Sequence, residues 1–178
     1  SSGLPLLACK CSVCSSSDWR DKRLRCAGLL QYNNKNIIID TGLDFRQQML
    51  REDIIKIDAV LITHAHVDHI GGLDELRAYN FAQQEDIDVY ADPLASNMMK
   101  NMFAYIFAEK KYPGAPSINL HTFNHNSPIS LYNKKIKPLK IYHGKMPITG
   151  FKLGSFAYLT DVKSIPKESL EELKGINT

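Results

Sequence analysis

The sequence predicts one mixed α/β (α+β) domain, and three observations lead there. Short runs rich in Ile, Val and Tyr alternate with helix-patterned stretches along the whole chain. At 178 residues the chain can bury a sizeable core without needing a second domain. No internal repeat, low-complexity tract or linker divides it.

In chain order, residues 27–32 and 37–40 read as the strands of a hairpin joined by the polar turn Asn33-Asn34-Lys35-Asn36. Asp44 is placed to cap a helix over residues 45–51. The continuous apolar run Ala59-Val60-Leu61-Ile62-Thr63 is that of a buried strand. Residues 73–79 make a short helix and residues 88–91 another strand. Pro93 opens the longest helix, reaching about Lys110, on which Leu94, Met98, Met102 and Ile106 recur every four residues beside Met99, Phe103 and Phe107. That stripe reads as core, with a methionine-rich mobile cover over a ligand as the alternative. Residues 112–132 are rich in Pro, Asn and Ser and read as loop with short strands, leaving His121 and His125 solvated. Residues 136–142, 148–152 and 156–160 read as three further strands, and the last helix begins near Pro166.

Composition excludes some classes of function. Hydrophobic residues make up 44% and charged residues 23%, as in an ordinary globular domain. No run of about 18 apolar residues is present to cross a membrane. The start, Ser1-Ser2-Gly3-Leu4-Pro5, lacks the basic and apolar regions of a secretory signal, so a cytoplasmic location is expected. A net charge of +3 is too weak to argue for nucleic acid. The run Arg20, Lys22, Arg23 and Arg25 suits either a phosphate or a solvated face.

Two clusters carry chemistry. Cys9, Cys11 and Cys14 fall within six residues, with Cys26 twelve further on. Such clustering suits thiolate ligation of a soft metal better than a disulfide scaffold, the alternative being three reduced thiols in a turn. The stronger signal is His64-Ala65-His66-Val67-Asp68-His69, four potential ligands directly after the buried strand. Neutral imidazoles with a carboxylate suit zinc, manganese or iron(II) at an open hydrolytic site. His64 and His66 can face one ion while Asp68 and His69 are carried toward a second, and Gly71-Gly72 lets the backbone turn tightly beneath.

In this motif the chain resembles the metallo-β-lactamase superfamily, whose signature is His-x-His-x-Asp-His after a buried strand. Ile38-Ile39-Asp40-Thr41-Gly42 is similar to the family's first motif, Tyr158-Leu159-Thr160-Asp161 to the one supplying a metal-bridging aspartate, and His143 matches the third-histidine position. The cysteine cluster, Arg23-Leu24-Arg25, the stretch from Asp40 to Gln48, His143-Gly144 and Thr149-Gly150-Phe151 resemble the narrower PhnP-like phosphodiesterase branch. The resemblance implies an αββα sandwich, with residues 1–178 as a single hydrolase domain covering about its first two-thirds and cut at both ends. It implies two catalytic divalent ions, zinc or manganese. His64, His66 and His143 would hold one, Asp68 and His69 would contribute to the other, and Asp161 would bridge. Asp40 would orient a ligand from behind. Cys9, Cys11 and Cys14 would hold a separate structural zinc, whose fourth ligand and the last catalytic histidine lie beyond the residues shown. Each assignment has a plain alternative: Asp40 and Asp161 as turn caps, His143 as an ordinary strand-end histidine.

The implied activity is hydrolysis of a small cyclic phosphodiester through a metal-bridging hydroxide, with Asp68 as the catalytic carboxylate and Lys145 as a candidate acid. The alternatives are a thioester, a lactone or RNA as substrate, or a non-catalytic metal-binding protein of the same fold. The expected partner is a small-molecule phosphodiester, with no membrane, nucleic acid disfavoured, and a homodimer left open.

Overall fold

The structure is a computed structural model and describes residues 2–178. Among the described residues, nine strands form two sheets. Sheet one runs β1 (Gly28–Tyr32), β2 (Lys35–Ile39), β3 (Ala59–Leu61), β4 (Ile87–Ala91) and β5 (Ile118–Thr122), in that spatial order. The first pair is antiparallel and the other three are parallel. Sheet two is antiparallel, in the order β6 (Ile129–Leu131), β7 (Lys134–His143), β8 (Met146–Leu153), β9 (Phe156–Tyr158). The helices are α1 (Phe45–Arg51), α2 (Val67–Ile70), α3 (Leu76–Gln83), α4 (Pro93–Met102), α5 (Ala104–Phe107) and α6 (Lys167–Glu172).

Period-two alternation in sheet one sorts its side chains into two cores. Ile38, Val60, Val89 and Ala91 pack with Phe45, Met49, Leu76, Met99 and Ile106 of the helices. Ile37, Ile39, Ala59 and Leu61 point the other way, onto Ile129, Leu131, Ile136 and Phe151 of sheet two. Each Ile, Leu or Phe side chain buried there contributes about 1.5–3 kcal/mol. Helix α6 lies against β7, where the Ser169 hydroxyl donates to the Lys140 carbonyl at 2.6 Å. The layers are therefore helix, sheet, sheet, helix, as the resemblance implied. Parallel strands β2, β3 and β4 all end at one edge, where open α/β sheets place their sites.

Several local expectations are corrected. The hairpin turn is only Asn33-Asn34, both left-handed at φ 49° and 57°, a pair of conformations that suits the right-handed twist of the flanking strands. Lys35 and Asn36 belong to β2. Asp44 sits at the N-cap of α1 without capping it, because its carboxylate takes the Arg25 backbone N–H and guanidinium, each at 2.8 Å. The long helix breaks at Phe103, whose φ, ψ of −117°, 44° is not helical. Its buried face is Ala95, Ser96 and Met99, whereas Leu94 and Met102 are exposed. Arg20 pairs with Asp18, and the Lys22 ammonium donates to the Ser16 carbonyl, so the basic run is largely engaged locally. No helix is long and apolar enough to cross a membrane among the described residues.

Because Asn34 occupies a left-handed conformation, Asn34→Val should cost about 1–2 kcal/mol while Asn34→Gly is tolerated. Denaturant unfolding of both variants checks this.

Candidate metal centre

The loop after β3 enters the site edge through Thr63, and Asp40 follows β2 beside it. Both residues are fully buried. The Thr63 N–H donates to Asp40 Oδ1 at 2.8 Å and its hydroxyl to Asp40 Oδ2 at 2.7 Å. With that proton committed, Thr63 Oγ1 can only accept from His64 Nδ1, 3.0 Å away, which leaves the lone pair of His64 Nε2 facing the site. His69 is oriented likewise, its Nδ1 lying 2.7 Å from Asp40 Oδ2 and its Nε2 3.3 Å from Asp161 Oδ2.

One ligand atom each from His64, His69 and Asp161 lies within 4.8 Å of the others. The remaining expected ligands surround this group. His64 Nε2 is 3.1 Å from His66 Nδ1, and the His143 ring centroid lies 5.9 Å from that of His64 and 5.3 Å from that of His66. Asp68 Oδ2 is 3.4 Å from His69 Nε2. His64, His66, Asp68 and His69 come from the loop after β3, His143 ends β7, and Asp161 follows β9. Both sheets thus contribute donors. Asp40 and Asp161 adopt φ of 66° and 53°, strained values for residues with a Cβ.

The donor chemistry fits a divalent cation. His69 Nε2 and Asp161 Oδ2 are two acceptors face to face, an arrangement that calls for a proton or a metal between them. Burial, reinforced by the neighbouring His69 and His66, drives the His64 pKa down to about 3, so this imidazole is neutral at physiological pH and has no proton to displace. Burial opposes charge on His69 too, but its bond to Asp40 and the charges of Asp40, Asp68 and Asp161 lift its pKa above the usual imidazole value. Partial burial would raise Asp161, yet His69 holds its carboxyl below the usual range.

The glycines act through close approach. A Cβ on Gly42 would overlap the Asp68 carbonyl oxygen, and one on Gly72 would overlap that of Gly42. Gly72 has φ −96°, so the tight turn expected there is a matter of missing side-chain volume, not of unusual backbone.

The sulfurs of Cys9, Cys11 and Cys14 also lie within 4.8 Å of one another, compared with about 3.8 Å between sulfurs of a tetrahedral zinc–thiolate site. The Leu6 N–H donates to Cys14 Sγ at 3.3 Å and the Cys14 N–H to Cys11 Sγ at 3.5 Å. The bond from the Cys14 N–H, with those to the Cys9 and Cys14 side chains, lowers the Cys11 thiol to about 7. Cys26 is exposed and stands outside the group.

Residues 35–178 match the model of the beta-lactamase superfamily domain. The chain aligns with the solved structure of a new diphosphatase from the PhnP family at 42% identity and a TM-score of 0.88, covering 98% of this chain and 66% of that one. The chain belongs to the metallo-β-lactamase superfamily, in its PhnP-like branch. It is also 41% identical over 176 residues to an octanoyltransferase of Porphyromonas gingivalis, a match covering 98% of this chain but only 35% of that protein. Zn2+-bound PqqB from Methylobacterium extorquens shares the fold, with a TM-score of 0.60 and 20% identity over 88% of this chain and 60% of that one.

Three residues matter more than the superfamily motifs alone suggest. Thr63 was visible only as the end of a buried strand, and Thr149 only as part of a matched tripeptide. His125, expected in solvent, is half-buried and hydrogen-bonded to Thr149 Oγ1 at 3.0 Å. His121 stays exposed, paired with Asp88 at 2.8 Å and stacked on Tyr90. Lys145 sits exposed in the turn between β7 and β8.

Since Gly42 touches the Asp68 backbone, Gly42→Ala should destabilise the fold by about 2 kcal/mol or more and displace the Asp68 loop. Thermal unfolding together with a zinc titration checks both effects.

Proposed function

We propose that this chain carries the catalytic centre of a binuclear metal-dependent hydrolase acting on a small cyclic phosphodiester. The observation that carries this reading is the convergence of His64, His66, Asp68, His69, His143 and Asp161 from both sheets on one edge. The 42% likeness to a PhnP-family diphosphatase supports phosphate-ester chemistry. The chain spans 66% of that structure and 35% of the octanoyltransferase.

His64, His66 and His143 would hold one ion, Asp68 and His69 the other, and Asp161 both. Zinc or manganese bound there would make water a competent nucleophile at neutral pH and neutralise charge on the phosphate oxygens. Asp40 and Thr63 fix the ring orientations of His69 and His64. Besides ligating one ion, Asp68 would accept a hydrogen bond from the attacking oxygen through a carboxylate oxygen. A cleft of about 780 Å³, lined by Leu4, Leu6, Arg23, Arg25, Asp44 and Asp68, opens beside that carboxylate and takes the organic part of the substrate. Arg25 is neutralised by Asp44 at 2.8 Å, and Arg23, the other arginine among the described lining residues, is placed to meet an anionic group. Lys145 is the candidate donor to the leaving alkoxide. Cys9, Cys11 and Cys14 hold a structural zinc apart from the chemistry, since thiolates favour closed, soft sites. An acyl ester or thioester is the second reading, favoured by the 41% likeness to an octanoyltransferase.

His66→Ala and Asp161→Ala should each lower turnover of a 2′,3′-cyclic nucleotide at least about 100-fold and reduce bound metal, without unfolding the metal-free protein. Chelation should abolish wild-type turnover, and zinc or manganese should restore it. Chelator-resistant turnover, or cleavage only of a thioester, would reject the phosphodiesterase reading.

A further inference from the structure

Among the described residues, one backbone–backbone hydrogen bond joins sheet two to the loop after β3: the Thr149 N–H of β8 donates to the Thr63 carbonyl at 2.9 Å. Strand β9 covers β8 only from Phe151 to Leu153, so the Thr149 N–H is left open to this contact. Thr63 is the residue that aligns Asp40 and His64. Movement of Thr149 is therefore movement of the candidate metal centre.

The loop between β5 and β6 secures Thr149 from the other side. His125 Nε2 is hydrogen-bonded to Thr149 Oγ1 at 3.0 Å. The His125 ring stands edge-on to Phe123, with centroids 6.0 Å apart, and Phe123 stands edge-on to Phe151 at the same separation. Phe151 is 1% exposed and anchors this stack in the inter-sheet core. A half-buried imidazole with a polar contact on one atom and an aromatic wall behind it has a defined orientation.

We propose that His125 is a positioning residue for the metal centre, acting through Thr149 and Thr63 to hold sheet two in register with the His64 loop. It touches neither metal nor substrate. Its role rests on the metal-centre reading but not on the identity of the substrate.

The test uses the full-length protein. Zinc affinity of the metal-depleted form is measured by calorimetry beside thermal unfolding of that same form and turnover of bis(p-nitrophenyl) phosphate. His125→Ala should weaken zinc binding at the histidine site about threefold to tenfold, at or below what loss of a group bonded directly to a metal ligand costs, and lower kcat with little change in KM. His125→Gln, whose amide can still reach Thr149 Oγ1, should recover most of both. Thr149→Val keeps the backbone bond but removes the hydroxyl, so it should reproduce His125→Ala, and the double variant should add little further. Should His125→Ala fail to fold, Thr149→Val and His125→Gln still decide the matter. Unchanged zinc affinity and kcat in the folded variants, or fully additive effects, would overturn the proposal. Zinc effects as expected in a wild-type protein inert toward every phosphodiester would instead reject the substrate reading and leave this one standing.

Discussion

Donors drawn from two sheets tolerate little sliding between them, and the hydrogen bond from Thr149 to Thr63 is the contact that limits it at the site. Metal–ligand distances hold to within about 0.2 Å, a tighter requirement than packing between apolar sheet faces imposes. Apolar contacts such as Ile37, Leu61 and Phe151 keep the layers together but are non-directional. Far from the site the Tyr32 and Tyr132 hydroxyls add direction by donating to the Leu131 and Asp58 carbonyls. At the site direction comes from Thr63, which binds sheet two through its carbonyl, Asp40 through its amide and hydroxyl, and His64 through its hydroxyl oxygen. Every donor of that residue is satisfied. One short polar side chain thus couples fold to site.

The price is a fully buried carboxylate. Burial pushes the Asp40 carboxyl up, against the pull of His69 and Thr63. Replacing such a group by an apolar one would relieve desolvation but leave His69 Nδ1 and the Thr63 amide unpartnered in the interior. The left-handed backbone of Asp40 and Asp161 adds strain at the same edge. A buried carboxylate, buried histidines and two left-handed aspartates meet at this edge, and there function overrides stability.

The strands and the histidine motif are legible because both are local signals. The apolar runs Ile37-Ile38-Ile39 and Ala59-Val60-Leu61 and the ligand spacing of residues 64–69 need no tertiary information, whereas the layering follows only from the family resemblance. His143 and Asp161 were reachable only through family resemblance, since nothing in their own neighbourhoods marks them. His125 was read as solvated because loop composition reports exposure on average, while its burial follows from Phe123 packing on Phe151. Asp44 was read as a helix cap because the local position allows it, and the competing Arg25 comes from 19 residues away. Of the stripe expected on the long helix, Met98, Met99, Phe103, Ile106 and Phe107 pack into the core, while Leu94 and Met102 face solvent because sheet one lies beneath Ala95 and Met99.

Thr63 links the sandwich to the metal centre, and a manganese titration tests that most directly. Mn2+ is a hard ion that disfavours the thiolates of Cys9, Cys11 and Cys14, so its binding followed by electron paramagnetic resonance reports the His/Asp site alone. Thr63→Val keeps the shape and the backbone bond to Thr149 but deletes the hydroxyl between Asp40 and His64. The variant should bind Mn2+ at least about tenfold more weakly than the wild type while its metal-free form stays folded. Equal Mn2+ affinity in the two proteins, or no Mn2+ binding by the wild type, would contradict the account.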